Sequence, residues 1–491
     1  MAVSDSVMTQ GTATRERTFF GQPPVLANLF GVELWERFSF YGMQGILLIY
    51  LYYPAAEGGL GLSQQTATSI VGAYGGAVYL ATILGAWVAD RLLGPERVLF
   101  VSAVGVMAGH ISLAVLPGLT GVTVGLILIA IGSGGVKANA TSLVGSLYDE
   151  HDDRRDAGFS LFYLGINLGA LIGPLLTGLL QKNWGFHAGF ALAAVGMAIG
   201  LVQYSVGRKR LTGAARVVAN PLPARRRLPV AGAVAAVVVL LVVLALTGVL
   251  QADYLSTVVV VLSIVAAVTY FVVILTSHRI TAVERRRVYA FIPLFVTSAV
   301  FWSLYQQQFT VVTIYSDQRL DRTLFGWEMP VSWVQSINPV FVIVLSGAFA
   351  ALWTRLGPRQ PSKPIKFAAG TVIMGVAFLL FLPLVGGGPN SAPLLALAGI
   401  LLVFTVAELL LSPVGLSLST KLAPGAFHTQ MVALFFLSVA LGTAASGTLA
   451  TYYSEEHEAA YFGILGLIAI VIGVALALAA RPIVRLMSGV R

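Results

Sequence analysis

The sequence predicts an all-α protein that crosses a membrane many times, built from two six-helix bundles with two further helices between them. Three observations lead to this fold class: the composition, a series of long apolar runs, and an internal repeat. Of the 491 residues, 57% are hydrophobic and only 10% are charged, and the mean hydropathy is +0.85. Because an average soluble domain has about 25% charged residues, this composition indicates a polytopic membrane protein.

Apolar runs long enough to cross a bilayer, about 20 residues each, recur along the whole chain. Most of the polar connections between them are short. The runs predict fourteen membrane spans, at residues 29–53, 66–89, 98–117, 121–147, 158–180, 187–207, 229–250, 255–276, 288–314, 332–354, 366–385, 393–416, 429–452 and 460–480.

The basic residues lie almost entirely on one side of these spans. With the N-terminus in the cytoplasm, 25 of the 30 Lys and Arg residues are cytoplasmic, three are on the opposite side, and two fall inside spans. This bias predicts that the N-terminal tail (1–28) and the C-terminal tail (481–491) are both cytoplasmic. It also accounts for the net charge of +9 without a nucleic-acid partner.

The sequence lacks the residues and motifs of several other classes of functional site. The chain has no cysteine, which excludes disulfides and thiolate chemistry. Residues 1–24 lack an apolar run followed by a cleavage site, so we expect no cleaved signal peptide. We find no metal-binding, phosphate-binding or nucleophile motif. We therefore predict no catalytic residue and no metal ligand, and expect that the protein is not an enzyme.

Two pairs of segments resemble each other at similar spacing. "GAWVADRLLGPER" (85–97) resembles "GAFAALWTRLGPR" (347–359), and "LGALIGPLLTG" (168–178) resembles "LGTAASGTLAT" (441–451). The offsets of 262 and 273 residues indicate two parallel halves rather than chance likeness of Gly-rich helices.

The repeat predicts the domain organisation. The N-terminal bundle is expected at 29–207 and the C-terminal bundle at 288–480. The region between them, 208–287, combines basic linkers with a hairpin of two additional transmembrane helices. Two halves related by an axis along the membrane normal are typical of the major facilitator architecture, in which substrate binds near mid-membrane between the halves.

Five charged residues fall inside predicted spans. They are Glu33, Glu36, Arg37, Lys137 and Glu408. Each would cost about 2.5–3.5 kcal/mol at a helix centre facing lipid, so we expect them to face one another or a wet cavity. Three acids and two bases leave a net charge of −1, and one bound proton neutralises the set. This balance favours a proton carrier; a purely structural ion-pair network is the alternative.

Further polar residues at mid-span are candidates for lining a cavity, because buried amides and hydroxyls need partners. Taken singly, such a residue more often forms a hydrogen bond between helices than a contact with a ligand. These residues are Tyr79, Asn167, Gln306, Gln307, Gln308, Asn338 and Ser412.

Several segments in order along the chain resemble one known family. "ELWERFSFYG" (33–42) resembles the ExxERFxYYG signature of the proton-dependent oligopeptide transporters, a branch of the major facilitator superfamily. "GFSLFYLGINLGALIGP" (158–174) resembles their second signature, FYxxINxG. Further similar segments are "SINPVF" (336–341), "QPSKPIKF" (360–367) and "ELLLSPVGLS" (408–417). The resemblance covers residues 27 to about 450 and implies fourteen helices and alternating access.

The resemblance also implies roles for individual residues. The positions that resemble the family's proton-coupling group are Glu33, Glu36, Arg37 and Lys137. Those that resemble its substrate-binding positions are Tyr41, Tyr79, Lys137, Asn167, Trp302, Asn338, Glu408 and Ser412. Lys137 is implied to sense the peptide carboxylate, and Glu408 with Asn338 to hold the amino terminus. A zwitterionic peptide needs opposite charges at its two ends, and Lys137 and Glu408 come from opposite halves.

The chain departs from the family pattern at a proposed gate. The family commonly has Arg where this chain has Gln44, and a carboxylate where it has Gln306. The resemblance implies that in the family this Arg and this carboxylate form an outer salt bridge between the two halves. Because both have changed, no charge is stranded, and we predict that Gln44 and Gln306 pair without charge as the gate.

Three further departures affect expectations of substrate range. The first Tyr of the signature is Phe40, which removes a hydroxyl, and the usual Lys-Pro-Asn reads Lys137-Ala138-Asn139. A family tryptophan appears as Phe435.

The function predicted from the sequence is proton-coupled import of di- and tripeptides across the bacterial cytoplasmic membrane. We expect protons as the coupling ion, no other cofactor, and a functional monomer embedded in the bilayer. The alternatives are uptake of another small anion or amino-acid conjugate, such as nitrate, and a substrate sensor without net transport. The two-half repeat and the mid-membrane charges disfavour an ungated channel.

Overall fold

The computed structural model describes residues 18–149, 152, 154–211 and 213–489. The first 17 residues of the predicted N-terminal tail and the last two of the C-terminal tail lie outside the described residues. The helices are α1 (Pro24–Tyr52), α2 (Gln64–Val88), α3 (Pro95–Val115), α4 (Gly118–Gly145), α5 (Arg155–Trp184), α6 (Phe186–Gly207), α7 (Ala224–Leu246), α8 (Leu255–Thr276), α9 (Ala282–Tyr305), α10 (Val311–Gln318), α11 (Ile337–Leu356), α12 (Lys363–Leu379), α13 (Leu394–Lys421), α14 (His428–Ala450), α15 (Glu458–Leu478) and α16 (Ala480–Leu486).

Four two-residue strands complete the described structure, all in the connections on one side of the bundles. They are β1 (Leu320–Asp321), β2 (Thr323–Leu324), β3 (Trp327–Glu328) and β4 (Ala392–Pro393). β1 pairs in parallel with β4, and β2 pairs antiparallel with β3.

The local sequence explains several helix starts. α1 and α3 begin with proline, whose missing N–H costs nothing in the first turn. Ser63 caps α2 by accepting a hydrogen bond of 3.1 Å from the backbone of Thr66. Thr281 and Glu284 form a reciprocal capping box at the start of α9.

Thirteen helical segments of the described chain are long and apolar enough to cross a membrane. α1 is not among them, although it has 29 residues, since Glu33, Glu36 and Arg37 interrupt its apolar sequence. It nevertheless packs along α5 and α6 inside the N-terminal bundle. We count α1 as the fourteenth span because it packs inside the bundle, although its composition alone does not identify it as a span.

The two bundles repeat one packing scheme. In the first bundle α1 packs on α5 and α6, and α3 packs on α4 and α6. In the second, α9 packs on α14 and α15, and α12 on α13 and α15. The contacts between the bundles are also paired, since α2 packs on α14 and α5 on α11. This arrangement agrees with the two parallel halves that the sequence repeat predicts.

One end of the interface between the bundles is closed. The membrane face at which α1 ends and α2 begins is called the closed face here, and the opposite one the open face. Ser332, Trp333 and Ser336, between α10 and α11, donate hydrogen bonds of 2.9, 3.0 and 2.8 Å to carbonyl oxygens of α5. Among the described residues, every hydrogen bond and ion pair between the two bundles lies toward the closed face.

The two helices between the bundles, α7 and α8, were predicted as a hairpin, but only α8 packs closely against the bundles. α8 packs on α2 and α14, where Ser256 meets Ser69 at 3.2 Å. α7 buries none of its residues and makes no extended contact with another element in the described part of the chain. After Arg227, α7 carries no polar side chain.

The structure interrupts one predicted span and adds a short helix after the last one. The span expected at 288–314 is broken after Tyr305 by a turn, Gln306–Phe309, and continues as α10. Gln307 stabilises this break, because its side-chain oxygen accepts hydrogen bonds of 3.0 Å each from Thr310 and Tyr461. In the predicted C-terminal tail, 481–491, most residues belong to the short helix α16.

Candidate functional site

A cavity of about 260 Å³ lies between the two bundles. Its walls come from α1, α2, α4 and α5 on one side and from α9, α11, α13 and the turn Gln306–Phe309 on the other. Tyr163, on the wall formed by α5, is 42% exposed. The break after α9 matters here, because it turns Gln306, Gln308 and Phe309 toward the cavity.

The three charges of α1 form one buried group. The Arg37 Nε atom lies 2.8 Å from Glu33 Oε1 and 3.0 Å from Glu36 Oε2. All three side chains are at most 3% exposed. Glu33 and Arg37 line the cavity, while Glu36 lies behind them at 0% exposure. One guanidinium is therefore shared by two carboxylates, which leaves this group with one excess negative formal charge.

Lys137 reaches the cavity from α4 but forms no ion pair. Its Nζ atom lies 4.4 Å from the centre of the Tyr79 ring and 6.0 Å from that of Phe40. No carboxylate lies within 4.0 Å of it among the described residues. The predicted charge set is thus a triad on α1 with a separate lysine beside it.

Glu408 stands on the opposite wall, on α13, and is held by neutral groups. Tyr305 donates a hydrogen bond of 2.8 Å to its Oε2 atom, and Asn338 Nδ2 lies 3.5 Å from the same oxygen. Asn338 is itself oriented by a hydrogen bond of 2.9 Å to Thr405. An acid without a cation thus faces the cavity from one bundle, and Lys137 without an anion faces it from the other.

Every substrate-binding residue predicted from the sequence lines this one cavity. These residues are Tyr41, Tyr79, Lys137, Asn167, Trp302, Asn338, Glu408 and Ser412. The amide of Asn167 donates a hydrogen bond of 2.9 Å to the Tyr163 carbonyl of its own helix. The indole N–H of Trp302 is buried and has no hydrogen-bond partner within the described chain.

The predicted gate residues are buried, but the structure records no hydrogen bond between them. Gln306 lines the cavity, whereas Gln44 does not, and the side-chain oxygen of Gln44 has no partner among the described residues. Phe40, which replaces a family tyrosine, stacks on Tyr74 at 5.9 Å. Phe435 is buried beside Gly415 and is absent from the cavity wall.

Several residues that line the cavity were not predicted from the sequence. Tyr305, the hydrogen-bond donor to Glu408, follows Trp302 by three positions and so shares its helix face, a signal that was available. Phe309 stacks on Tyr41 at 6.1 Å across the two bundles, but it reaches this position only through the helix break. Gln335 also lines the cavity from the turn Val331–Ser336, and no periodicity indicated it.

The described residues contain no group of three or more His, Asp or Glu side chains that could hold a metal ion. Two repeated helical bundles around a mid-membrane cavity, with broken helices and charges at its walls, define a secondary transporter.

Comparisons with known proteins agree with this class. The POT family matches residues 96–468. The di-/tripeptide transporter of Lactococcus lactis subsp. cremoris is 41% identical over 490 residues, which cover 97% of this chain and 99% of that protein. A crystal structure of peptide transporter POT with sulfate has a TM-score of 0.92 at 44% identity, covering 96% of this chain and 97% of that one.

A second solved structure is of a POT family transporter in complex with 5-aminolevulinic acid. Its TM-score is 0.89 at 38% identity, with 95% of this chain and 98% of that chain covered. The chain belongs to the POT family, the proton-dependent oligopeptide transporters. It is a multi-pass membrane transporter and not an enzyme, and the major facilitator fold expected from the sequence repeat is confirmed.

Proposed function

We propose that this protein imports di- and tripeptides together with protons by alternating access. The observation that carries the proposal is the placement of an unpaired cation and an unpaired acid on opposite walls of one cavity. Lys137 suits the carboxylate of a peptide, and Glu408 with Asn338 suits its amino group. A peptide held at both ends would draw the two bundles together and so favour closure of the open face.

The α1 triad supports the proton-coupling part of the proposal. Arg37 is shared by Glu33 and Glu36, so the group is one proton short of neutral. A buried acid that gains and loses this proton would change the charge of the wall next to Lys137. Protons would thereby act as the coupling ion without another cofactor.

The distribution of Lys and Arg supports the proposed placement of the protein. Both termini and the open face would lie in the cytoplasm, with the protein in the bacterial cytoplasmic membrane. The packing of the two bundles around one cavity makes each chain complete, so we propose that it functions as a monomer.

A direct test is uptake of labelled dialanine into proteoliposomes under an imposed inward proton gradient. We expect accumulation that collapses when a protonophore is added. Uptake no greater than in protein-free liposomes, with protein in the correct orientation, would contradict the importer and favour a sensor.

A competition panel separates the candidate substrates. Unlabelled dipeptides and tripeptides should inhibit dialanine uptake, whereas nitrate and free amino acids should not. A relative has been crystallised with 5-aminolevulinic acid, which has the same two charged ends as a peptide. Strong inhibition by that compound but not by dipeptides would favour the amino-acid conjugate as substrate.

A further inference from the structure

The closed face carries a polar network that neither the cavity nor the sequence motifs include. Two neighbouring tyrosines at the end of α1 bind one carboxylate at the end of α10. The Tyr52 hydroxyl donates to Asp317 Oδ2 at 2.5 Å, and the Tyr53 hydroxyl donates to Asp317 Oδ1 at 2.6 Å. α1 belongs to the first bundle and α10 to the second, so both bonds cross between the halves.

Asp317 is well placed to make these bonds strong. Its side chain is only 13% exposed, and both of its oxygens accept a phenol. Hydrogen bonds to an ionised acceptor are shorter and stronger than neutral ones, and partial burial reduces competition from water.

A second contact between the bundles lies beside the first. Lys182, at the end of α5, pairs with Glu328 of β3 at 3.5 Å and also donates to the backbone oxygen of Glu328. Arg322 links the two contacts, because its Nη2 atom lies 3.8 Å from Asp317 and 2.9 Å from Glu328. The Lys182 ammonium also lies over the ring of Trp327, with its Nζ atom 5.1 Å from the ring centre.

We propose that Asp317 is a gating residue that holds the closed face shut through Tyr52 and Tyr53. The proposal rests on the alternating access proposed above, since opening this face requires α1 and α10 to separate. Both phenol–carboxylate bonds must then break. Asp317 touches neither the cavity wall nor the proposed substrate and so acts on the transition between states alone.

The clasp formed by Tyr52, Tyr53 and Asp317 has, in this state, the gating role that the sequence predicts for Gln44 and Gln306. Those glutamines carry no charge and share no hydrogen bond in this state, in which the face is already closed. The charged cross-bundle contacts instead lie farther out, at the ends of the helices. This position lets the gate open without bringing an ion pair into the membrane interior.

The test uses the absence of cysteine from the native chain. A single reporter, Ala170→Cys, places one thiol on the cavity wall. A membrane-impermeant maleimide added from the closed-face side reaches this thiol only when that face opens. We expect Asp317→Ala to raise the labelling rate about tenfold, since a hydrogen bond to a charged group is worth about that factor or more in an equilibrium.

The variant Tyr52→Phe/Tyr53→Phe keeps the carboxylate and removes only the two donors, and we expect it to raise the rate similarly. It also decides the question if Asp317→Ala fails to fold. The matched control is Asp321→Ala on the same face, because Asp321 is exposed and accepts only from the nearby Thr323 backbone.

Labelling of Asp317→Ala at the rate of Asp321→Ala would overturn the proposal. An effect of Asp317→Ala without any effect of the tyrosine pair would also overturn it, since the clasp would then not be the gate. The readout needs no substrate. Failure of dialanine uptake with an intact labelling difference would therefore contradict the transport function and leave the gate standing.

Discussion

At the scale of single residues, the Arg37 guanidinium holds the carboxylates of Glu33 and Glu36 together. It is buried with two carboxylates, and removal of one partner from a buried ion pair typically costs about 3–5 kcal/mol. Gain of a proton by either carboxylate leaves a balanced pair. The residue types therefore allow a change of charge without loss of the fold, which a coupling site needs.

We expect Glu36→Gln to abolish gradient-driven dialanine uptake while sparing peptide counterflow. The amide resembles the protonated acid in shape and neutrality, so the cycle can turn but no proton can be released. The measurement compares driven uptake with exchange in the same proteoliposomes.

The matched control for this experiment is Glu456→Gln, which changes an exposed glutamate in a surface turn. The control should behave as wild type in both assays. Driven uptake at the wild-type level in Glu36→Gln would remove Glu36 from the coupling path.

We expect Lys137→Gln to weaken dialanine binding by about tenfold or more, because a charge-assisted hydrogen bond to the carboxylate is lost. A dipeptide with an amidated C-terminus should lose much less. Binding can be measured by calorimetry on detergent-purified protein, with exposed Lys209→Gln as the control. Equal weakening for both ligands would show that Lys137 does not sense the carboxylate.

We also expect Gln44→Arg to slow transport, because it adds a buried charge without a partner. Adding Gln306→Glu should restore the rate if the two positions meet during the cycle. Uptake rates of the two single variants and the double variant form the cycle that tests this. Additive damage in the double variant would mean that the positions do not meet.

At the scale of elements, close helix contacts depend on glycine. A Cβ atom at Gly72 of α2 would lie 2.5 Å from the Gly447 Cα atom of α14, and one at Gly85 would lie 2.6 Å from the Gly135 Cα atom of α4. Small residues let membrane helices approach closely and gain van der Waals contact. Because α2 and α14 belong to different bundles, the first of these contacts joins the two halves of the molecule.

We expect Gly72→Ala to destabilise the protein by about 1–3 kcal/mol, since α2 and α14 must move apart to accept the methyl group. The measurement is the thermal unfolding temperature of detergent-purified protein, which should fall. Gly399→Ala on α13 is the matched control, because no atom lies within 4 Å of the methyl group that this change adds. An unchanged unfolding temperature for Gly72→Ala would show that the helices adjust without cost.

At the scale of the whole molecule, two similar bundles meet at paired contacts, α2 with α14 and α5 with α11. In the proposed alternating access these contacts would act as pivots, and the hydrogen bonds toward the closed face would favour one of two tilts of the bundles. In the proposed orientation this state is open to the cytoplasm and is ready to release substrate.

The orientation itself is testable with single cysteines. We expect Asn183→Cys, at the closed face, to react with an impermeant maleimide in intact cells. Lys209→Cys, at the opposite end of the N-terminal bundle, should react only after permeabilisation. Both positions are exposed, so access rather than burial decides the result. The reverse labelling pattern would contradict cytoplasmic termini.

The charged residues of the cavity were easier to find in the sequence than the contacts that close one face. Lys137 and Glu408 stood out because a charge in a long apolar run has few explanations, and the structure places them on opposite walls of one cavity. Asp317 did not stand out, since it lies near a helix end where a carboxylate is ordinary. Its contacts with Tyr52 and Tyr53, at 2.5 and 2.6 Å, appear only in the tertiary structure, because the two tyrosines are 265 and 264 residues distant along the chain.

By itself the sequence determined that this protein is helical, spans a membrane repeatedly and has two related halves. Those properties can be read from the length of the apolar runs and from the similarity of short segments, without knowledge of any tertiary contact. The tertiary structure decided where α9 breaks, that Tyr305 holds Glu408, that α7 stands apart, and which face is closed. These depend on contacts between the halves, and no local pattern of residues encodes how two distant helices meet.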